Sequence, residues 1–284
     1  MKIILSRKGF DSSSGGVPSP LFPDGTLFSL PIPDKRSKVR YSDINWQGLN
    51  IGEIVSTLTH GKIRKDYFAH IDPDVCRGLL PRHQGWCPIF GQTGAAQGHL
   101  RNNSVGSDDL FLFWGLFREV EVGVNGYQFK REATPKHIIW GWLQVDRKVS
   151  VDSVGEGELE WAKYHPHFQI KGVSHNTVYI AKERLSFPSG IVSSCPGAGV
   201  FHKIKDKLIL TETKSSKPSQ WSLPSWFFPG VKKTPLTYHQ KLQSWQIKGG
   251  RVLLNSTARG QEFILNCSEY PESLDWLRTL LLNA

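Results

Sequence analysis

The first sixteen residues contain the side chains best suited to bind an anion. Arg7 and Lys8 supply positive charge and hydrogen-bond donors, and the Ser/Gly run after them leaves backbone N–H groups that can point at a phosphate. The segment is not a Walker motif, because the Gly-Lys-Ser/Thr ending is absent and no helix is predicted after it. We predict a phosphate-binding loop made of Arg7, Lys8, Ser12, Ser13, Ser14, Gly15 and Gly16.

Asp11 lies within this loop, close in sequence to the two cations. Neighbouring positive charge favours the ionised carboxylate, so Asp11 is our candidate for the catalytic base or nucleophile. The alternative is that Asp11 pairs with Arg7 or Lys8 and caps a turn, with the glycines present only for the shape of the backbone.

Two histidine motifs offer a proton partner for Asp11. His99 precedes a long apolar segment, and an imidazole in that position can exchange a proton near neutral pH. In His165-Pro166-His167, proline is expected to keep the backbone extended, so that the rings point to opposite sides and at most one faces a site. We assign His99 and His167 as catalytic candidates. The alternatives are a structural His99 and a surface turn around Pro166.

No metal site is predicted, and the sequence does not indicate which cofactor, if any, the protein uses. Four residues of metal-ligand type have a spacing that fits no standard zinc motif: His70, Cys76, His83 and Cys87. His70 together with Asp72 and Asp74 could bind Mg²⁺, as in a nuclease, but no other feature of the sequence supports this.

The positive charge is concentrated between Thr213 and Gln261, a stretch with eight Lys or Arg and no Asp or Glu. Six aromatic residues are interleaved with these cations: Trp221, Trp226, Phe227, Phe228, Tyr238 and Trp245. Cations that neutralise phosphates and rings that stack on bases suit single-stranded or flipped-out nucleic acid. We predict a nucleic-acid surface that includes Lys214, Lys217, Lys232 and Lys233. The alternative is a solvated basic face with its rings in the core.

The elements that must position these side chains are mostly strands. Apolar runs predict strands at 2–6, 26–32, 110–117, 137–145, 173–181, 199–202 and 207–211. Helical spacing predicts a helix over 50–60, capped by Gly61, and a second one after Pro271, while 81–97 has the composition of an irregular loop. Strands and helices do not alternate, so we predict a β-rich α+β fold with a mixed or barrel-like central sheet, a few helices and long Gly/Pro-rich loops.

Composition sets the class of protein. The 284 residues carry a formal net charge of +10 and are 39% hydrophobic, which excludes disorder. Four cysteines are too few for a disulfide scaffold, so we expect a reduced, cytoplasmic compartment. No apolar run approaches the roughly 20 residues of a membrane helix, so no membrane partner is expected. Neither a repeat nor a linker divides the chain, and we predict a single domain, 1–284.

Several segments match the motifs of a known family. They are 6–16 followed by Pro18-Ser19-Pro20, Gly94-Ala95-Ala96-Gln97, 109–117, His165-Pro166-His167-Phe168, Asn176-Thr177-Val178-Tyr179 and Arg259-Gly260-Gln261-Glu262-Phe263. On these segments the chain resembles the nucleotide modification associated domain 3 (Nmad3) family over nearly its whole length. The resemblance implies a setting in phage and bacterial systems that make or handle modified DNA bases. The centre of the chain also resembles a PUA-like barrel, as in ASCH and EVE domains.

These features predict an enzyme that acts on a nucleotide or on a flipped-out base in DNA. Asp11 with His99 or His167 would transfer protons, and the N-terminal loop would hold phosphate. The residues assigned to contact the base are Gln97, Trp114 and Arg118. The alternatives are a non-enzymatic reader of modified nucleic acid and, third, a metal-dependent nuclease. DNA or a nucleotide is the expected partner.

Overall fold

The computed structural model describes residues 1–188 and 192–282, and strands dominate the regular structure of these residues. The strands are β1 (Lys2–Arg7), β2 (Ser19–Leu21), β3 (Ile32–Pro33), β4 (Asn45–Trp46), β5 (Leu49–Asn50), β6 (Ala69–His70), β7 (Ile89–Gln92), β8 (Leu110–Gly123), β9 (Gly126–Phe129), β10 (Lys136–Ser150), β11 (Thr177–Ala181), β12 (Arg184–Ser186), β13 (Val192–Pro196), β14 (Ala198–Val200), β15 (Gln220–Pro224), β16 (Trp245–Lys248), β17 (Arg251–Asn255) and β18 (Glu262–Asn266). The α-helices are α1 (Ile51–Leu58), α2 (Gly94–Asn102) and α3 (Glu272–Leu281). None of the helices in this part of the chain has the length and apolar character that crossing a membrane requires.

A mixed nine-stranded sheet forms the centre of the molecule. Six strands lie side by side in the order β18, β1, β8, β10, β11 and β7, while β2 and β9 also pair with β8 and β14 pairs with β10. Strand β1 runs antiparallel to β18 but parallel to β8. The described strands close no barrel. The predicted β-rich α+β class is therefore confirmed, whereas the resemblance to a PUA-like barrel stays unconfirmed.

The central strands are held by apolar side chains on both faces of the sheet. The first six residues of β8 are buried, and its Phe111 and Phe113 lie with ring centroids 4.9 and 5.3 Å from that of Phe90 on β7. Full burial of a ring of this size contributes about 1.5–3 kcal/mol to folding. The strands predicted at 2–6, 110–117, 137–145, 173–181 and 199–202 overlap β1, β8, β10, β11 and β14.

Both predicted helices are confirmed. Helix α1 begins after Asn50, whose side chain accepts a hydrogen bond from the backbone N–H of Glu53. Gly61 follows this helix with a φ of +75°, the left-handed conformation that glycine adopts without strain. Helix α3 begins directly after Pro271 and buries Leu277 against the main core.

Three local predictions are wrong. Of the strand expected at 26–32, only Ile32 lies in a strand, while Thr26 and Leu27 form single bridges. The segment 207–211 overlaps a 3₁₀ turn, Asp206–Leu208. The segment 81–97 contains β7 and the start of α2. Helix α2 buries only two of its residues, so it lacks the amphipathic pattern that would have predicted it.

The basic segment folds as a three-stranded sheet, in the order β15, β17, β16, that packs its rings inward. Trp221, Phe227 and Trp245 are buried, and the other three rings of the segment pack against the same core. Among the cations assigned to a nucleic-acid surface, Lys214, Lys217 and Lys232 are exposed, while Lys233 is partly buried beside Glu272. The segment therefore presents cations to solvent but keeps its largest rings in the core.

Candidate functional site

A cleft of about 200 Å³ lies between the N-terminal loop and the segments around Asp72, and we call it the Asp72 cleft. Its charged and titratable lining consists of Arg7, Lys8, Asp11, Arg36, His70, Asp72 and His167. Two residues predicted as catalytic, Asp11 and His167, thus line one cleft, together with the two cations of the predicted phosphate loop.

Three histidines surround the buried carboxylate of Asp72. Nε2 of His165 lies 3.3 Å from Oδ1 of Asp72, and Nε2 of His167 and of His70 lie 3.5 and 3.7 Å from Oδ2. The backbone N–H of Gly91 donates to Oδ1 over 2.7 Å. Burial alone would raise the pKa of Asp72, but these histidines hold that pKa well below its ordinary value. The carboxylate is therefore ionised, and we call these four side chains the Asp72 cluster.

The pairing of β3 with β6 positions His70. Ile32 is opposite His70 in this pair, which brings Asp34 close enough for its Oδ2 to accept a hydrogen bond from His70 Nδ1 over 2.8 Å. Arg36 holds the same carboxylate through two N–H groups. Burial lowers the pKa of His70, but the hydrogen bond to Asp34 and the negative charge of the adjacent Asp72 carboxylate outweigh this effect and raise that pKa to about 8. Burial would raise the pKa of Asp34, and bonds from His70 and Arg36 bring it below its ordinary value.

The amide of Asn176 fixes the orientation of His167. Asn176 Nδ2 donates to the backbone carbonyl of His167 over 2.7 Å, and Oδ1 lies 2.6 Å from His167 Nδ1. A carbonyl only accepts, so the amide nitrogen must face it and the amide oxygen must face a protonated Nδ1. A Cβ on Gly91 would lie 2.2 Å from the His167 ring, so only glycine fits beneath it.

The expectation that His165 and His167 point to opposite sides is wrong. Pro166–Phe168 forms a 3₁₀ turn, and this curvature, unlike an extended backbone, brings both rings to Asp72. His165 is fully buried, and burial lowers its pKa. Neither of its ring nitrogens has a hydrogen-bond partner among the described residues.

The N-terminal loop is closed by its own carboxylate. Asp11 Oδ1 accepts hydrogen bonds from the backbone N–H of Ser13 and Ser14 and from the Ser13 hydroxyl, over 2.7–2.8 Å. The Ser/Gly run was expected to offer these N–H groups to a phosphate. Because both groups already donate to Asp11, they are not free to do so. A Cβ on Gly15 would lie 2.4 Å from the buried Phe10 ring, so this glycine serves packing. Ser12 and Gly16 are exposed.

Arg7 and Lys8 differ in whether their charged groups are already paired with another side chain of the protein. Lys8 Nζ pairs with the buried carboxylate of Glu262 over 2.8 Å, and Gln92 donates to the same oxygen. The half-buried Arg7 guanidinium forms no hydrogen bond or ion pair with any residue of 1–188 or 192–282. Within the described part of the chain, Arg7 therefore has a guanidinium group that is available to bind an anion.

A second cleft of about 270 Å³ lies on the other side of the loop, and we call it the Trp114 cleft. It shares Arg7, Lys8 and Asp11 with the Asp72 cleft. Within the described chain, the buried indole N–H of Trp114 and hydroxyl of Ser256 lack hydrogen-bond partners. Burial lowers the pKa of His137 in this cleft to about 3. The Trp114 cleft therefore offers uncharged groups that can bind a polar ligand.

Three of the six residues predicted to be catalytic or to contact the base line neither cleft. Gln97 is buried on α2 and accepts a hydrogen bond from Tyr179. His99 Nε2 lies 3.1 Å from the Thr237 hydroxyl. Arg118 donates to two backbone carbonyls beside β9. The structure gives each of these side chains an internal contact and does not bring them to Asp11 and His167.

The structure brings together only some of the residues that the sequence analysis considered as metal ligands. Within the described residues, one set offers three ligand atoms within 4.8 Å of one another, and it consists of His70, Asp72 and His167. Asp74 is held instead by Arg82 through two hydrogen bonds of 2.7 Å and by the Tyr164 hydroxyl. The Cys/His combination contributes no such set.

Asp74→Asn is expected to destabilise the fold by about 3–5 kcal/mol, because it leaves the Arg82 charge buried without its partner. The side chains of Asp74 and Arg82 are 0% and 4% exposed. Urea unfolding of the variant and of the Asp74→Asn/Arg82→Met double variant measures the effect. The double variant should recover part of the loss. A single variant as stable as wild type would contradict this structural role.

Sequence reasoning missed the residues that orient the histidines. Asn176 opens one of the family-like segments, a signal that could have drawn attention to it, whereas nothing in the sequence singled out Asp34. His165 was considered only as the neighbour of His167. The roles of Asp34 and His165 depend on contacts with segments far away in the sequence, whereas Asn176 contacts His167 within the same region of the chain.

The fold and the clefts define a β-rich α+β protein with a buried histidine–aspartate cluster in a cleft that Arg7 also lines. Residues 2–266 match the model of nucleotide modification associated domain 3, Nmad3. The chain therefore belongs to the Nmad3 family and is associated with nucleotide modification. Comparisons with curated proteins and with solved structures gave no match.

Proposed function

We propose that this protein is an enzyme that modifies a nucleotide or a base in nucleic acid, and that the reaction takes place in the Asp72 cleft. One observation carries the proposal: an ionised, buried carboxylate contacted by three imidazoles lines the same cleft as Arg7, whose guanidinium has no partner among the described residues. Perturbed titratable groups gathered in a cleft are typical of catalytic sites.

The residues divide into binding and reacting groups. Arg7 binds a phosphate of the substrate, since guanidinium N–H groups match phosphate oxygens. Asp72 and His167 form the end of the cleft where the reaction takes place, so His167 stays a candidate catalytic residue. Asp11 holds the loop in shape through its bonds to Ser13 and Ser14, so we assign it to positioning.

The Trp114 cleft supports the same proposal. Because Arg7 lines both clefts, a phosphate bound there has uncharged polar groups on one side and the Asp72 cluster on the other. The Trp114 indole N–H and the Ser256 hydroxyl are buried at this cleft without a hydrogen-bond partner among the described residues, and they would suit the carbonyl or ring-nitrogen acceptors of a base if they became accessible to it.

Mass spectrometry of nucleosides tests the proposal. The nucleotide pool and digested DNA of cells that express the protein are compared with those of cells carrying an empty vector. We expect a nucleoside of altered mass only with the protein. Folded protein that binds DNA or nucleotides but yields no altered species would overturn the enzyme proposal and favour a reader. A reader would have to rely on cations such as Lys214 and Lys217 without a surface of large rings.

A further inference from the structure

We propose that His70, Asp72 and His167 bind one divalent transition-metal ion, in place of our sequence-based expectation of no metal site. The inference extends the proposed function by naming the class of cofactor at the same cleft. Metal binding is measured without a substrate, so either proposal can fail while the other stands.

The geometry of the cluster is that of ligands around an ion. The Nε2 atoms of His70 and His167 lie 3.7 and 3.5 Å from Oδ2 of Asp72, too far for hydrogen bonds. An ion about 2.1 Å from each ligand atom separates neighbouring ligands by roughly 3.0–3.4 Å. The two distances to Asp72 therefore need to close by only a few tenths of an ångström, and all three ligand atoms already lie within 4.8 Å of one another.

The other nitrogen of each imidazole is already held by an acceptor. His70 Nδ1 donates to Asp34, and His167 Nδ1 donates to Asn176. In metal sites this arrangement fixes the ring and leaves Nε2 as the ligand atom. Two separate segments provide the same arrangement, which a purely structural histidine does not require.

His165 provides an independent observation. Its ring is fully buried, both nitrogens lack hydrogen-bond partners within the described chain, and Nε2 lies 3.3 Å from Oδ1 of Asp72. A buried polar group without a hydrogen-bond partner is unfavourable unless it serves a ligand or a neighbouring charge. We assign His165 to orienting the carboxylate on which the ion sits.

The donor set selects the class of ion. Two imidazole nitrogens with one carboxylate suit Zn²⁺, Fe²⁺, Mn²⁺ or Co²⁺, whereas Mg²⁺ and Ca²⁺ prefer oxygen ligands. Three protein ligands leave coordination positions open for water and substrate. An ion here would polarise a substrate oxygen on the Asp72 side of the phosphate bound by Arg7.

Equilibrium dialysis with Co²⁺ and Zn²⁺ tests the site, with metal content measured by mass spectrometry. We expect one ion per wild-type chain, and affinity lowered at least about 100-fold in Asp72→Asn and His167→Gln, and by about 10–100-fold in Asn176→Ala. His60→Asn is the control, because His60 is exposed and its positive φ suits asparagine. Equal binding by wild type and Asp72→Asn, or saturation by Mg²⁺ alone, would overturn the assignment.

X-ray absorption of the wild-type Co²⁺ protein tests the ligands directly and does not depend on whether a variant folds. Two imidazole ligands with additional oxygen ligands are expected in the spectrum. Sulfur ligation, or a folded wild-type chain that retains no ion after dialysis, would contradict the site.

Discussion

Asp72→Asn is expected to lower the rate of nucleotide modification by about 100-fold or more, the range seen when a group that acts on the reacting atoms is lost. Asparagine retains the size of the side chain and an oxygen that can accept the hydrogen bond from Gly91. It removes the negative charge that His70, His165 and His167 surround. The rate of appearance of the modified nucleoside, measured by mass spectrometry, reports the effect.

Asp146→Asn is the matched control for this variant. Asp146 is exposed on β10, so the same chemical change should leave the rate unaltered. Circular dichroism establishes that both variants are folded. If Asp72→Asn formed product at the wild-type rate, the reaction centre would lie elsewhere.

Arg7→Met is expected to weaken binding of a phosphate-bearing substrate by about 10–100-fold, the equivalent of a charge-assisted hydrogen bond of about 1.5–3 kcal/mol. Methionine keeps an unbranched side chain but removes the charge and all donors. Because the guanidinium has no partner among the described residues, its loss should cost little stability. The effect should appear in KM, with kcat changed less.

Arg131→Met controls for the loss of one positive charge, since Arg131 is exposed. A nucleoside substrate without phosphate provides a second control, because its KM should be the same with and without Arg7. A KM for the phosphorylated substrate that is unchanged in Arg7→Met would contradict the assigned role.

The sequence predicted the central strands because their apolar residues are local signals. Runs such as 110–117 are apolar on both faces, and such a run has few alternatives to a buried strand. The N-terminal loop also carried local information: its cations and glycines indicated a site there, and Arg7 and Asp11 do line the Asp72 cleft. The internal bonds of Asp11 correspond to the turn-capping alternative.

The Asp72 cluster could not be predicted in the same way. His70 and Asp72 lie almost one hundred residues before His167, and the two segments meet only because β7 pairs with β11 and places Gly91 beneath the His167 ring. Whether Asp72 or Asp74 faces the cleft depends on the position of Arg82, which residue types alone do not give. The 3₁₀ turn at Pro166 likewise decided which way two rings point.

Hydrogen exchange measured with and without a nucleoside 5′-monophosphate tests the central claim most directly, namely that the Asp72 cleft takes the phosphate-bearing substrate. We predict slower exchange in peptides covering 7–16 and 89–93, where Arg7 and the N–H of Gly91 lie. Peptides covering 229–248, which line neither cleft, should be unchanged by a single nucleotide. Protection confined to 229–248, with none at 7–16 or 89–93, would contradict the account.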